Sequence, residues 1–324
     1  MTRIKPIRTA VIFTLLCSLV LLCAGMTGVH AAAKGRLTID SKSANIPVTD
    51  MHWQVFRVAD VPKGDTLELT GAFAGLPVKP DLSTEDGART AASTLEAYAV
   101  AYGITPDFSA VASSDGTVTA ENLEPGYYLV LGEPLKDEND MYLSVPTLLC
   151  IADGGQYDNP DWSLDRTIVP KIRLISGAEY HSQTDRTVQK IWVNADKTPE
   201  IRVRLYRDGT LYDTQTLNDA NNWEYTWSKL DNTSRWTVIE EQVPGDCTVS
   251  YTQQQVKSGK TYKEAFTVTN TGSTTVVTTS RNTGSNNTGK LPQTGQLWWP
   301  IPLLVLGGSG LLALGWRITR KKRS

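Results

Sequence analysis

Between residues 184 and 271, apolar and aromatic side chains recur at every second position in one short run after another. That period of two is the signature of half-buried β-strands, and it restricts this part of the chain to an all-β layered fold. Val188, Lys190 and Trp192 share one face of a first run, and Ile201, Val203 and Leu205 share a face of a second. Asp208-Gly209 then reads as a hairpin turn. Trp223, Tyr225 and Trp227 form a third face, Trp236, Val238 and Glu240 a fourth, and Phe266, Val268 and Asn270 a last. Three of these faces carry one member that does not belong on an apolar surface: a lysine, a glutamate and an asparagine. Burying a lone charge is expensive, so Lys190, Glu240 and Asn270 are expected to meet one another or to become neutral.

Residues 34–175 also read mostly as short strands. Arg36–Ile39, His52–Val58, Thr117–Ala120, Tyr127–Leu131, the run Met141–Ile151 and the closing stretch Asp161–Leu174 are separated by turn signals such as Asp115-Gly116 and Pro125-Gly126. Ala88–Tyr102 breaks this pattern. Leu95, Tyr98 or Ala99, and Tyr102 fall at helical spacing, and Gly103 supplies a stop. The fold class expected is therefore mostly β, with two tandem immunoglobulin-like sandwiches, the first bearing a helical insertion on its surface.

The two ends of the chain carry export signals. Arg3, Lys5 and Arg8 precede an apolar stretch from Ala10 to Ala24, and Val29-His30-Ala31 before Ala32 offers a signal-peptidase site. Cleavage is expected after Ala31, so that 1–31 is a signal peptide, with Ala33 nearly as good. Cys17 and Cys23 each follow leucine, where a lipoprotein would need a small residue. At the other end, residues 297–316 contain no charge and, at about 1.5 Å per residue, are long enough for a transmembrane helix. Arg317, Arg320, Lys321, Lys322 and Arg323 follow and are expected to stay on the cytoplasmic side. Residues 272–290 are rich in Thr, Ser, Asn and Gly and read as a flexible linker.

Composition narrows the partners. The chain has 32 basic and 34 acidic residues; the two ends hold eight of the basic ones and no acid, leaving 24 against 34, a net charge of −10 on the body. An acidic exported body argues against nucleic acid as a partner. Cys150 and Cys247 survive processing and are read as buried free thiols. Beyond the signal only His52 and His181 remain. Neither accompanies a Cys or Ser nucleophile motif, and no HExxH, CxxC or phosphate loop is present. No enzyme activity, cofactor or metal is expected.

Leu291, Pro292, Gln293, Thr294 and Gly295, followed by the apolar span and the basic tail, resemble the LPxTG cell-wall sorting signal (residues 291–324) of Gram-positive surface proteins. The resemblance implies that a sortase cleaves after Thr294. Its carbonyl is then passed to an amine of the peptidoglycan precursor or of another protein.

The motifs VQKIW (Val188–Trp192), RLYRDG (Arg204–Gly209), NNWEYTW (Asn221–Trp227), TVIEEQVPG (Thr237–Gly245) and FTVTNT (Phe266–Thr271) together resemble a Cna B-type domain spanning 184–271. That family joins a first-strand lysine to a last-strand asparagine by an autocatalytic isopeptide bond. The resemblance implies Lys190 and Asn270 as the bonded pair and Glu240 as acid/base; Glu241 points to the other face. NLEPGYYLVLGE (Asn122–Glu133) and DWSLDRTIVPKI (Asp161–Ile172) resemble the N-terminal domain of sortase-assembled pilins. Trp162, Pro170 and Lys171 take the places of the pilin motif, with Lys171 as the acceptor amine. Arg166 and Val169 depart from it.

The chain is thus expected to be a structural protein of the cell surface, covalently attached to the wall and passing through the plasma membrane as a precursor. Its expected partners are sortase, the peptidoglycan precursor and other pilin subunits. The alternative is a monomeric wall-anchored adhesin whose 34–175 domain binds a host or matrix ligand.

Overall fold

A computed structural model describes residues 33–62, 67–258 and 261–273. The expected signal peptide, the linker, Leu291–Gly295 and the apolar span 297–316 lie outside the described residues, apart from the first two linker residues. Among the described residues, no helix is long and apolar enough to cross a membrane.

The described chain is mostly β-sandwich with few helices. Its first part contains β1 (Gly35–Asp40), β2 (His52–Ala59), helix α1 (Glu85–Tyr102), β3 (Phe108–Val111), β4 (Thr117–Leu123) and β5 (Gly126–Gly132). It continues through β6 (Leu135–Lys136), β7 (Asp140–Ser144), β8 (Thr147–Ile151), β9 (Asp165–Ile168), β10 (Ile172–Ser176) and the single turn α2 (Gly177–Tyr180). These strands form three sheets, β4-β1-β9, β3-β2-β5-β8 and β10-β7-β6. Trp53 and Val55 point into a core with Leu37, Ile39, Tyr128 and Ile151, as the alternation of β2 requires.

Two runs that read as single strands each divide between two sheets. Met141–Ile151 splits at Val145-Pro146, so β7 and β8 belong to different sheets. Asp161–Leu174 splits at Pro170, which separates β9 from β10. Proline cannot donate to a ladder, so in each case the pairing ends there and the strand that follows joins a new partner.

The second part contains β11 (Gln183–Val193), β12 (Ile201–Arg207), β13 (Thr210–Leu217), β14 (Glu224–Asp231), β15 (Trp236–Glu240), β16 (Cys247–Ser258) and β17 (Thr261–Gly272). Sheets β14-β11-β17-β16 and β13-β12-β15 face each other over Val188, Val203, Leu205, Trp236, Val238, Phe266 and Val268. The β12–β13 turn has Asp208 and Gly209 both at positive φ, as that dipeptide predicts. The first and last strands, β11 and β17, lie parallel, with Lys190 opposite Val268 and Trp192 opposite Asn270.

Helix α1 begins at Thr84, whose Oγ1 accepts from the Gly87 backbone N–H at 3.0 Å, and ends at Gly103 in the left-handed conformation. The helix is not a surface decoration. Ala92, Leu95 and Ala99 pack against β2 and β5, whereas Ala97 and Tyr98 enter the core of the second sandwich. Tyr102, expected on the buried stripe, is 53% exposed. An alanine-rich helix has little side-chain bulk, so both of its flanks can approach sheets closely.

Candidate functional site

The inward face of β11 alternates Thr184, Arg186, Val188 and Lys190, all buried. Its parallel neighbour β17 presents Glu264, Phe266, Val268 and Asn270 inward. The period of two thus brings Lys190 and Asn270 to the same face of adjacent strands, two residues apart in register. From the facing sheet, β15 delivers Glu240. All three side chains meet inside the sandwich. Lys190 Nζ is 3.5 Å from Glu240 Oε2, and both side chains are fully buried. Asn270 Nδ2 donates to Glu240 Oε1 at 3.1 Å. Lys190 Nζ also lies 4.2 Å from the centroid of the Trp192 ring, which stacks edge-on with Trp223.

Burial sets the protonation of this cluster. Removal from water lowers the Lys190 ammonium to about 8, against the opposing pull of Glu240. The same removal raises the Glu240 carboxyl, although Lys190 and the Asn270 amide pull it down. The two shifts run toward each other, which eases the passage of a proton from the ammonium to the carboxylate. Among the described residues, Glu240 Oε2 and Asn270 Oδ1 have no hydrogen-bond partner. Turning the Asn270 amide over would set its carbonyl oxygen against Glu240, where a protonated carboxyl donates to it. The arrangement can therefore hold a neutral amine and an amide on the two oxygens of one carboxylic acid. Glu241, next in the chain, leaves this core and pairs with Arg202 and Arg204.

Two features of the site escape the alternation reading. Arg186 is buried four residues before Lys190 on the same face. Its Nε donates to Glu264 at 2.6 Å, its Nη1 to the Leu230 carbonyl and its Nη2 to Asn232. An arginine and a glutamate at inward positions of β11 and β17 were as visible in sequence as Lys190. The second feature is Tyr251 on β16, whose Oη accepts the Glu240 backbone N–H at 3.0 Å. No local pattern marks Tyr251, because its role comes from packing between sheets.

The remaining sequence candidates lie elsewhere. Lys171 is exposed between β9 and β10, and Pro170 before it is buried. The Lys171 carbonyl accepts from Val145 N–H at 2.9 Å, which fixes the backbone on which the amine stands. Trp162 lies in the loop before β9, edge-on to Tyr127 and Tyr157. Of the two positions off the pilin pattern, Arg166 donates to the Asp161 carbonyl and Val169 is exposed. Among the described residues, Cys150 and Cys247 are free and buried. Among the described residues no group of three or more His, Cys, Asp or Glu side chains could hold a metal.

Residues 186–271 match the family described as the Cna protein B-type domain. The matched segment coincides with the second sandwich and contains Lys190, Glu240 and Asn270. Among solved structures, the chain is similar to a single B repeat of the collagen-binding surface protein of Staphylococcus aureus, at 16% identity over 72% of this chain and 95% of that one, with a TM-score of 0.21. It is also similar to the major pilin T-13 of Streptococcus pyogenes, at 12% identity over 75% and 98%, with a TM-score of 0.23. A third is the full-length major pilin SpaD of Corynebacterium diphtheriae, at 14% identity over 73% and 64%, with a TM-score of 0.28. No curated protein sequence matches the chain.

Proposed function

We propose that this protein is a structural subunit of a Gram-positive cell surface, a pilin or stalk, whose Cna B-type domain locks itself with an isopeptide bond between Lys190 and Asn270. One observation carries the reading: a lysine, a glutamate and an asparagine from three strands meet in a closed apolar core, with Glu240 3.5 Å from Lys190 and hydrogen-bonded to Asn270. In the reaction, neutral Lys190 Nζ attacks Asn270 Cγ while protonated Glu240 polarises the carbonyl. A new C–N bond forms and the bond from Cγ to the original amide nitrogen breaks. That nitrogen collects a proton through Glu240 and leaves as ammonia. Folding itself supplies the proximity. The step occurs once and modifies only this chain, so it is self-modification without catalytic turnover. The intact mass of the purified protein is expected to fall below the sequence value by one ammonia; an unreduced mass defeats the assignment.

Attachment rests on the sequence. Sortase would recognise Leu291–Gly295, retain Thr294 as an acyl group and transfer it to the wall precursor or to a second subunit. Division of the body at about 34–175 and 184–271, and export by a signal at 1–31, belong to the same proposal. The acceptor we favour is Lys171: it is exposed, and Pro170 together with the bond from Val145 holds its backbone still. The deciding experiment is an SDS immunoblot of muramidase-released wall material beside a Lys171→Ala strain. A high-mass ladder that collapses in the mutant supports a shaft pilin joined through Lys171 and Thr294. A ladder that persists rejects Lys171 as acceptor. A single band in both strains rejects polymerisation and leaves a monomeric wall-anchored adhesin.

A further inference from the structure

Every sandwich with three or four strands per sheet has open flanks, where edge strands leave backbone groups unpaired. In the second sandwich one such flank lies between β15 and β16, each at the edge of its sheet. The first part of the chain closes it. Thr94, in the middle of α1, is fully buried, and its Oγ1 accepts the Tyr251 backbone N–H at 3.0 Å and lies 3.4 Å from the Tyr251 carbonyl. The Val249 N–H, two residues earlier on the same edge, donates to the Pro77 carbonyl at 2.7 Å. Ala97 and Tyr98 fill the gap beside these bonds, and Arg235 holds the far side through Glu96 and the Gly132 carbonyl. A side-chain hydroxyl on a helix thus does for β16 what a neighbouring strand would otherwise do.

The contact leads directly to Glu240. Tyr98 Oη and Tyr251 Oη share a hydrogen bond at 3.2 Å, with the rings 5.5 Å apart. Tyr251 Oη in turn accepts the backbone N–H of Glu240 at 3.0 Å. Because β15 is an edge strand, that N–H has no strand partner on its open side. Tyr251 therefore ties the backbone of the acid/base residue to the opposite sheet, and Thr94 and Tyr98 tie Tyr251 to α1. The chain of contacts is α1, Tyr251, the Glu240 backbone, the Glu240 carboxyl.

We propose that docking of α1 completes the isopeptide site: Tyr251, held by Thr94 and Tyr98, is a positioning residue for Glu240, so the bond forms only when the first part of the chain has folded against the second. This rests on the reading of Lys190, Glu240 and Asn270 as the bond-forming set. Its consequence is an order of events. A Cna B-type sandwich emerging without a docked α1 stays unlinked and reversible, and the covalent lock closes on a chain whose two parts are already assembled.

The test follows bond formation in the full chain after a pulse of cell-free synthesis in detergent, with samples quenched in denaturant and the ammonia loss read from intact mass. The variants are Tyr251→Phe, Tyr98→Phe and Thr94→Val, which keep bulk and lose hydroxyls, and Ala97→Glu, which puts a charge into the docked face. Tyr251→Phe is expected to slow bonding roughly three- to tenfold, the span set by losing one ordinary hydrogen bond. Tyr98→Phe and Thr94→Val are expected to slow it in the same direction, and Ala97→Glu to leave the chain largely unbonded. The pH dependence of the rate should stay as in the unsubstituted chain, since Tyr251 positions the site without exchanging its proton. Bonding at the unsubstituted rate in Tyr251→Phe and Ala97→Glu overturns the proposal, and so does a displaced pH profile in Tyr251→Phe. If the unsubstituted chain itself loses no ammonia, the isopeptide reading fails and this inference fails with it.

Discussion

Replacing Asn270 by alanine removes the carbonyl that Lys190 would attack and leaves the Lys190–Glu240 pair, at 3.5 Å, in place. The link from Lys190 to Asn270 closes a loop of about 80 residues, and the loop-entropy relation puts its effect on the unfolded chain at about 4.5 kcal/mol. Loss of the hydrogen bond from Asn270 Nδ2 to Glu240 adds about 1 kcal/mol. For a body of this size each kcal/mol moves the melting temperature by roughly 2–4 °C, so Asn270→Ala should melt about 10–20 °C below the unsubstituted protein. Differential scanning calorimetry of the body, residues 32–294, measures the shift, and intact mass reports the bond in the same samples. Lys190→Ala should land close to Asn270→Ala, because Glu240, already raised by burial, can take up a proton once its cation is gone. The reasoning is refuted if Asn270→Ala melts within a few degrees of a parent whose mass shows that it carries the bond.

Glu240→Gln should keep the fold and yield the full sequence mass, since the amide cannot shuttle the proton. Bond formation timed at different pH should fall off on both sides of a plateau, because the reactive pair of neutral Lys190 and protonated Glu240 is lost when both groups are protonated in acid and when both are deprotonated in alkali; a rate that keeps rising well above about pH 8 would contradict the need for protonated Glu240. Arg186→Ala removes the buried partner of one Glu264 oxygen while Arg173, at 3.6 Å, and Gln253 stay on the other, and it should destabilise the second sandwich by about 1–3 kcal/mol in urea unfolding; an unchanged stability would refute a structural role for the pair. Cys150, pushed up to about 12 by burial, and Cys247, also raised, should resist iodoacetamide at pH 8 until denaturant is added.

The second sandwich was legible in sequence because its strands obey a strict alternation with one buried face. Lys190, Glu240 and Asn270 stood out as polar exceptions on that face, and the same rule brings them together in space. Arg186 and Glu264 obey the same rule and could have been found by extending the register of β11 and β17 toward their beginnings. The first part was less legible. Pro146 and Pro170 end strands inside runs whose hydrophobicity continues, so a change of sheet looks like an unbroken strand. Helix α1 was recognisable from its spacing and its Gly103 stop, but its second buried flank was not. Alanine and threonine carry little hydropathy signal, and the surface that Thr94, Ala97 and Tyr98 cover belongs to strands more than 130 residues away in the chain. Tyr251 was invisible for the same reason.

The parallel pairing of β11 with β17 has a mechanical meaning. The chain enters this sandwich at the start of β11 and leaves at the end of β17, and the two strands run side by side from Arg186 opposite Glu264 to Val193 opposite Thr271. Tension along the backbone therefore slides one strand past the other, loading their ladder bonds together, whereas an antiparallel pair held at one end would unzip them singly. A covalent tie from Lys190 to Asn270 lies across that sliding plane. It would carry a pull from β11 to β17 through two side chains, and the roughly 80 residues between them would feel almost none of it.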